Sequence, residues 1–564
     1  MHFRLRHPAD FHRSLRADLS IAVVLLFSAI FGLAESGIGK PNVVIILADD
    51  LGWGDLSIHG NREISTPHLD ALATSGMRLE RFHASPTGGP SRAGLLTGRY
   101  AYRTGVAGSD GGEEFMHAHE VTFAEILQTA GWATGCFGKW QNGANWPHCP
   151  QAQGFDTFVG FCGETPDRAI NARLMRGHEE FQSSGDLTET LTTEALRFID
   201  DQTKSETPFL CYLAYAAPGT AELDPVAVHA ELETLDREVG RFLAGLESRE
   251  SADNTIVWFL SDNGPNVLPN AKEPRFNAYL RGAKGSVHEG GVRVPSFVCW
   301  PGNIPPQSEF RRITVNLDVL PTILALCGIS LEEANTPPLD GISLAPALRK
   351  GGRPDRWPNR IMFNSWTPPG YDTRNASVSV RTDRWMALRD PPWRRGSLSE
   401  THSGWELYDL NADPYERTDL ADDYPFVLSD MRADFSRWMD HTTDNGIGPI
   451  PTEFGHPEWP VVTLTATDAQ APRSSDQLRW PIDVIGDDVS YRVEVTPAGE
   501  KDSGDTTYQL VAGDVSLDFE LPASADDVII LPGKLQLPPG ERVLSLKGPS
   551  DRITRIRFLP SKSP

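Results

Sequence analysis

Acidic side chains gather where the sequence predicts strands to end. The β-branched run Val43–Ala48 stops at Asp49-Asp50, and Thr255–Leu260 stops at Ser261-Asp262-Asn263-Gly264. A third run, Ala133–Phe137, leads into Gly138-Lys139. In open α/β sheets, ligands bind just beyond the carboxyl ends of the strands, so one rim would carry all of these groups. Asp49, Asp50, Asp262 and Asn263 offer three carboxylates and an amide oxygen. This all-oxygen set suits a hard cation, calcium or alternatively magnesium. Adjacent aspartates also end strands and cap helices without binding anything, so Asp49-Asp50 alone does not decide between the two readings.

The elements that would position these groups alternate in type. Val43–Ala48 is continuously apolar, as suits a strand buried on both faces of a parallel sheet. Thr66, Pro67 and the segment to Gly76 predict an N-capped helix with proline in its first turn and a terminating glycine. Thr122 and Glu125 form a capping box for a helix that Gly131 ends. Helices are expected through Thr188–Ile199 and Leu232–Leu246, each followed by a strand, Phe209–Tyr215 and Thr255–Leu260. Repeated strand–helix–strand units imply a doubly wound, mainly parallel α/β sheet. From about Arg349 the chain turns Pro- and Trp-rich, with short strands such as Trp405–Leu410, which predicts a smaller α+β subdomain.

Beyond about Pro451 the pattern changes again. Val515, Leu517, Phe519 and Leu521 alternate with Ser516, Asp518 and Glu520, as in a half-buried strand. Similar runs at Tyr491–Val495, Val528–Leu531, Arg542–Leu546 and Ile553–Leu559 predict a terminal β-sandwich of about 100 residues. The expected organisation is a signal at 1–34, an α/β domain at 38–348, a subdomain at 349–450 and a sandwich at 451–564.

Composition narrows the class. At 564 residues, two or three folded units are expected. An apolar fraction of 39% and a charged fraction of 23% fit a globular protein rather than a disordered or membrane-embedded one. A net charge of -24 argues against nucleic acid as a partner. It also requires that any anionic substrate be held by a local basic cluster. Arg4, Arg6, Arg13 and Arg16 precede the apolar run Ile21–Leu33, with Gly32 and Ala34 placed for cleavage, so export to a secreted or periplasmic location is expected. The run falls short of the about 20 apolar residues of a membrane span. Six cysteines, at positions 136, 149, 162, 211, 299 and 327, match no zinc motif. Export permits a disulfide such as Cys149–Cys162, while Cys211, Cys299 and Cys327 lie in apolar stretches and read as small hydrophobes. No feature sets the oligomeric state.

Several segments in order resemble the sulfatase family of the alkaline phosphatase superfamily, from Pro41 to about Ala421. Pro41–Gly54 is similar to the family's first metal segment, and Pro90-Ser91-Arg92 with Leu95–Arg99 to its signature. Gly138-Lys139-Trp140, Ser261–Gly264, Lys284-Gly285-Ser286 with Glu289-Gly290-Gly291, and Trp405–Leu410 with Asp413-Pro414 match later blocks. The resemblance implies that Asp49, Asp50, Asp262 and Asn263 hold calcium. It also implies that Arg92 steadies the nucleophile and that Lys139 and Lys284 bind sulfate oxygens, with Arg92 adding its charge to this anion site. A cation and three basic side chains would neutralise a sulfate ester and the charge developing on it.

The pattern breaks where the chemistry should start. The family signature opens with Cys or Ser two positions before the proline, a residue oxidised to formylglycine, whose hydrate attacks sulfur. Here that position is Gly88, which has no side chain to oxidise or to attack with. A formylglycine transcribed as Gly would explain this position alone. However, the family histidines expected after Lys139-Trp140 and after Ala217-Pro218 are replaced by Gln141 and Gly219. Neither replacement can act as a general acid or base. Thr87 and Ser91 flank Gly88 as alternative nucleophiles, water activated by the cation is another, and His288 is a conceivable stand-in acid or a satisfied loop histidine.

Three functions follow as expectations. The leading one is an inactive or very weak sulfatase that binds sulfated glycans or other sulfate esters. An active sulfuric or phosphoric ester hydrolase, using water at the metal or a relocated nucleophile, is the alternative. A structural cell-surface protein stabilised by calcium is the third.

Overall fold

A computed structural model describes residues 39–163, 169–219, 225–267, 275–367, 376–390, 404–443, 450–470, 477–486, 489–498, 505–522 and 528–561. The export signal expected at 1–34 lies outside the described residues.

Four parallel strands form the centre of a ten-stranded sheet: β1 (Asn42–Asp49), β2 (Ala133–Lys139), β3 (Phe209–Pro218) and β4 (Thr255–Ser261), in the order β4–β1–β3–β2. Outside β4, Ser296–Cys299 and Met77–Leu79 continue the sheet antiparallel, and Ser308–Phe310 closes it. Outside β2, Thr157–Phe161 adds in parallel, followed by the hairpin Arg173–Arg176 and Glu179–Gln182. The fold is therefore doubly wound and mixed, mainly parallel.

The continuous apolar run of β1 has a direct structural cause. Val43, Ile45 and Leu47 enter one buried cluster, while Val44, Ile46 and Ala48 enter another on the opposite face. Helices Gly88–Thr97, Phe123–Thr129 and Val319–Cys327 cover the first face. Helices Pro67–Ser75, Leu187–Lys204 and Pro225–Ser248 cover the second.

Element ends differ from the expectation in both directions: β2 runs two residues beyond Phe137, while the strand expected at Trp405–Leu410 stops at Asp409. β2 continues through Gly138 to Lys139 because Gly138 adopts φ 114° and packs its Cα face on the Ala214 carbonyl, which a Cβ would meet at 1.9 Å. The capping box of Thr122 and Glu125 is formed. Thr66 differs: its hydroxyl donates to Asp70 Oδ1 at 3.0 Å and does not cap the helix backbone. All six cysteines are free thiols, so the Cys149–Cys162 bridge does not form. Cys211 and Cys299 pack in the second cluster, and Cys327 lies against the first.

Strands Met362–Trp366, Ser377–Arg381, Trp385–Arg389 and Trp405–Asp409 make an antiparallel sheet that packs on helix Pro425–Thr442. Two further five-stranded sheets, from residues 452–560, share one core that includes Trp480, Tyr491, Leu510, Leu544 and Phe558. This is the expected sandwich. Among the described residues no helix is long and apolar enough to cross a membrane.

Candidate active site

The parallel register of β1 and β4 places Ala48 beside Ser261, so the residues that follow each strand leave the sheet as neighbours. Asp50 turns sharply, with φ 61°, and its N–H donates to Asp262 Oδ1 at 3.1 Å. One oxygen from each of Asp49, Asp50 and Asp262 lies within 4.8 Å of the others, and all three residues are buried. Asn263 Nδ2 donates to Asp50 Oδ1 at 2.7 Å, while Asn263 Oδ1 is buried without a hydrogen-bond partner. Three converging carboxylates and an unpartnered amide oxygen fit the donor chemistry of calcium. The four predicted metal residues are thus brought together.

The basic residues converge on the same cluster. Arg92 projects from the second turn of helix α1 (Gly88–Thr97) and is fully buried. It donates to Asp262 Oδ2 at 2.8 and 3.1 Å, to Asp49 Oδ1 at 3.2 Å and to the Lys139 carbonyl at 2.7 Å. Lys139 Nζ reaches both oxygens of Asp49, at 2.8 and 2.9 Å. Lys284 Nζ reaches both oxygens of Asp50, at 2.7 and 2.9 Å. Three cationic groups therefore face three carboxylates, and their formal charges cancel.

This balance is uneven among the acids. Burial alone would raise Asp49, but Lys139 and Arg92 hold it well below the usual carboxylate range. For Asp262, burial and the Asp49 charge outweigh Arg92 and push it up to about 7. Lys284 is raised despite its burial, because Asp50 and Asp49 stabilise its ammonium form.

Gly88, Gln141 and Gly219 also meet at this cluster. A Cβ on Gly88 would lie 3.0 Å from Asp262 Oδ2 and only 2.5 Å from Gln141 Oε1. The Gln141 carboxamide thus fills the space that a side chain at position 88 would enter. Its backbone, like that of Asp50, is left-handed, with φ 61°. A Cβ on Gly219 would lie 2.6 Å from Asp49 Oδ2.

Of the alternative groups, Ser91 faces away, with its hydroxyl near Ser85 N and Asn316 Nδ2. The Thr87 hydroxyl, beside Gly88, is buried and unpartnered. His288 is buried between the Glu416 carboxylate at Nδ1 and Asp390 Oδ2 at Nε2, 3.2 Å away, so it is a satisfied loop histidine.

Sequence reasoning missed the residues that brace the site. Arg275 grips Asp55 at 2.6 and 2.7 Å and donates to the Asp50 carbonyl at 3.1 Å, fixing the Asp50 turn. Asn142 Nδ2 donates to the carbonyls of Gly89 and Glu114, at 3.1 and 3.2 Å, holding the start of α1. A cavity of about 710 Å³ lined by Pro305–Arg312 segments and Lys350–Arg353 shares no residue with the cluster.

The Sulfatase family model matches residues 41–225 and 227–329, which is over half of the chain. The chain belongs to the sulfatase family. A second model, "N-sulphoglucosamine sulphohydrolase, C-terminal", matches residues 283–439 and so takes in Lys284 and the four-stranded sheet. This sulfatase-family chain is 30% identical to human arylsulfatase A over 450 residues, covering 70% of itself and 86% of that protein. It is likewise 30% identical to pig N-acetylgalactosamine-6-sulfatase, over 71% of itself and 85% of the relative. Among solved structures, Ps i-CgsB in complex with k-i-k-neocarrahexaose aligns with a TM-score of 0.61 and 27% identity, covering 72% of this chain and 94% of that one.

Proposed function

We propose that this sulfatase-family protein is an exported, calcium-dependent binder of sulfated glycans whose ester-cleaving activity is lost or residual. The observation that carries the reading is the Gln141 carboxamide occupying the space beside Gly88, next to an otherwise complete set of acidic and basic groups. Asp49, Asp50, Asp262 and Asn263 would hold the calcium ion. When bound, the ion supplies positive charge that favours sulfate oxygens.

The chain's own groups act as follows. Lys139 and Lys284 lie on Asp49 and Asp50, and a cation drawing on the same carboxylates competes with these pairs. The ammonium groups then become available to an anion, so cation and anion should favour each other's binding. Arg92 keeps Asp49 and Asp262 in place. Cleavage would need a heteroatom to attack and a group to move a proton. Gly88 and Gly219 supply neither, and the Gln141 amide does not titrate at ordinary pH. The names of the relatives, among them N-acetylgalactosamine-6-sulfatase and the neocarrahexaose complex, favour a sulfated sugar as the ligand class.

Binding of a sulfated polysaccharide, followed by calorimetry with and without calcium, tests the reading. Calcium should strengthen binding by at least about fivefold, added salt should weaken it, and Lys284→Ala should remove most of it. Binding that ignores calcium and survives Lys284→Ala would reject the site. A second reading, hydrolysis through a relocated nucleophile, draws on the buried, unpartnered Thr87 hydroxyl. It requires sulfate release that Thr87→Val abolishes.

A further inference from the structure

We infer that the side-chain oxygen of Gln141 is a ligand of the bound cation, taking the coordination position that Gly88 leaves open. The inference rests on the metal reading above and adds a residue from a different strand end.

A point 2.5 Å from Gln141 Oε1 and 3.0 Å from Asp262 Oδ2 is the position of the Cβ that Gly88 lacks. Both oxygens therefore converge on the place where a side chain at 88 would enter the cluster. Gln141 Oε1 is buried and has no hydrogen-bond partner. An amide oxygen buried without a partner is costly, so such groups are paired in native proteins. The donors nearest the cluster are already engaged: Arg92 and Lys139 on Asp49 or Asp262, Lys284 on Asp50. A cation among the carboxylates would satisfy Gln141 Oε1 from the Asp262 side of the site.

Asn263 makes the same demand independently. It is fully buried with its amide against Asp50, and its Oδ1 also lacks a partner. Three carboxylates and two amide oxygens would give five protein ligands, leaving the rest of calcium's about six to eight positions to water or sulfate oxygens. The left-handed backbone of Gln141 fits this assignment, because glycine or asparagine would adopt φ 61° with less strain but could not extend a carbonyl to this point.

Calorimetric titration of the full chain with calcium, after chelator treatment, tests the inference on the unaltered protein, Gln141→Met and Gln141→Glu. Methionine keeps the length of glutamine but offers only a weak sulfur acceptor. Gln141→Met should bind calcium at least about tenfold more weakly, with an unchanged melting temperature in the absence of metal. Gln141→Glu should bind as tightly as the unaltered protein or more so. Gln141→Ala, which places the least demand on packing, is held to the same criterion if the methionine variant misfolds. Equal calcium affinity in the unaltered protein and in Gln141→Met or Gln141→Ala would overturn the inference alone and mark Gln141 as a space-filler. An unaltered protein that binds neither calcium nor magnesium would overturn the metal reading and the inference together.

Discussion

Arg92 is fully buried and serves two carboxylates at once. Removing it leaves Asp49 and Asp262 without their shared counter-charge. Arg92→Ala should therefore lower stability by about 3–5 kcal/mol, read from the denaturant midpoint. A loss below about 1 kcal/mol would show that the guanidinium is not the clamp described above. Part of this site is legible in sequence because its members lie at strand ends: Asp49 closes β1 and Asp50 follows it, Asp262 and Asn263 follow β4, and Lys139 closes β2. Arg92 on α1 and Lys284 in a loop are read only through the family resemblance. The Gln141 carboxamide beside Gly88 is not legible, since it depends on how two residues far apart in the chain meet in space. The same is true of Arg275 and Asp55, whose pairing across the Asp50 turn carries no local sequence signal.

At the scale of elements, the alternation of β1 between two buried faces explains why its strand character can be read directly from Val43–Ala48. Strand ends are harder to read, because glycine is a poor strand former while tertiary contact can require it. Gly138 is the instance here. It extends β2 far enough to deliver Lys139, and a Cβ would strike the Ala214 carbonyl. Gly138→Ala should lower stability by at least about 2 kcal/mol and should displace Lys139, weakening binding of a sulfated ligand in parallel. Unchanged stability and binding would show that β2 tolerates a different path. Thr66 illustrates the converse: a residue type suited to helix capping is drawn instead to Asp70 by a neighbouring hydroxyl network with Ser57.

At the scale of the whole molecule, the sandwich docks close to the start of α1. Asn145 exchanges two hydrogen bonds with the Thr463 backbone, at 2.8 and 2.9 Å, and Gly111 N donates to the Thr467 carbonyl at 2.6 Å. Glu114 lies at this junction, facing Asp468 of the sandwich and Asp110. Burial, reinforced by those two acids, raises Glu114 well above its ordinary value of 4.5. The folded chain thus keeps a proton that the unfolded chain has released, and stability falls as pH rises above 4.5 toward the raised value. Glu114→Gln retains the shape without ionising. It should raise the melting temperature at neutral pH and make little difference near pH 4; an equal effect at both pH values would contradict a buried protonated acid. The sandwich itself was legible from the alternation in Val515–Leu521, whereas its docking was not, because the contacts join loops far apart in sequence. The measurement that tests the central claim most directly is sulfate release from aryl sulfates and sulfated glycans by the purified protein with calcium, using Asp262→Ala as the control. The account predicts release absent or barely above the control alongside calcium-dependent binding of the sulfated ligand, and sustained turnover that disappears in Asp262→Ala would contradict it.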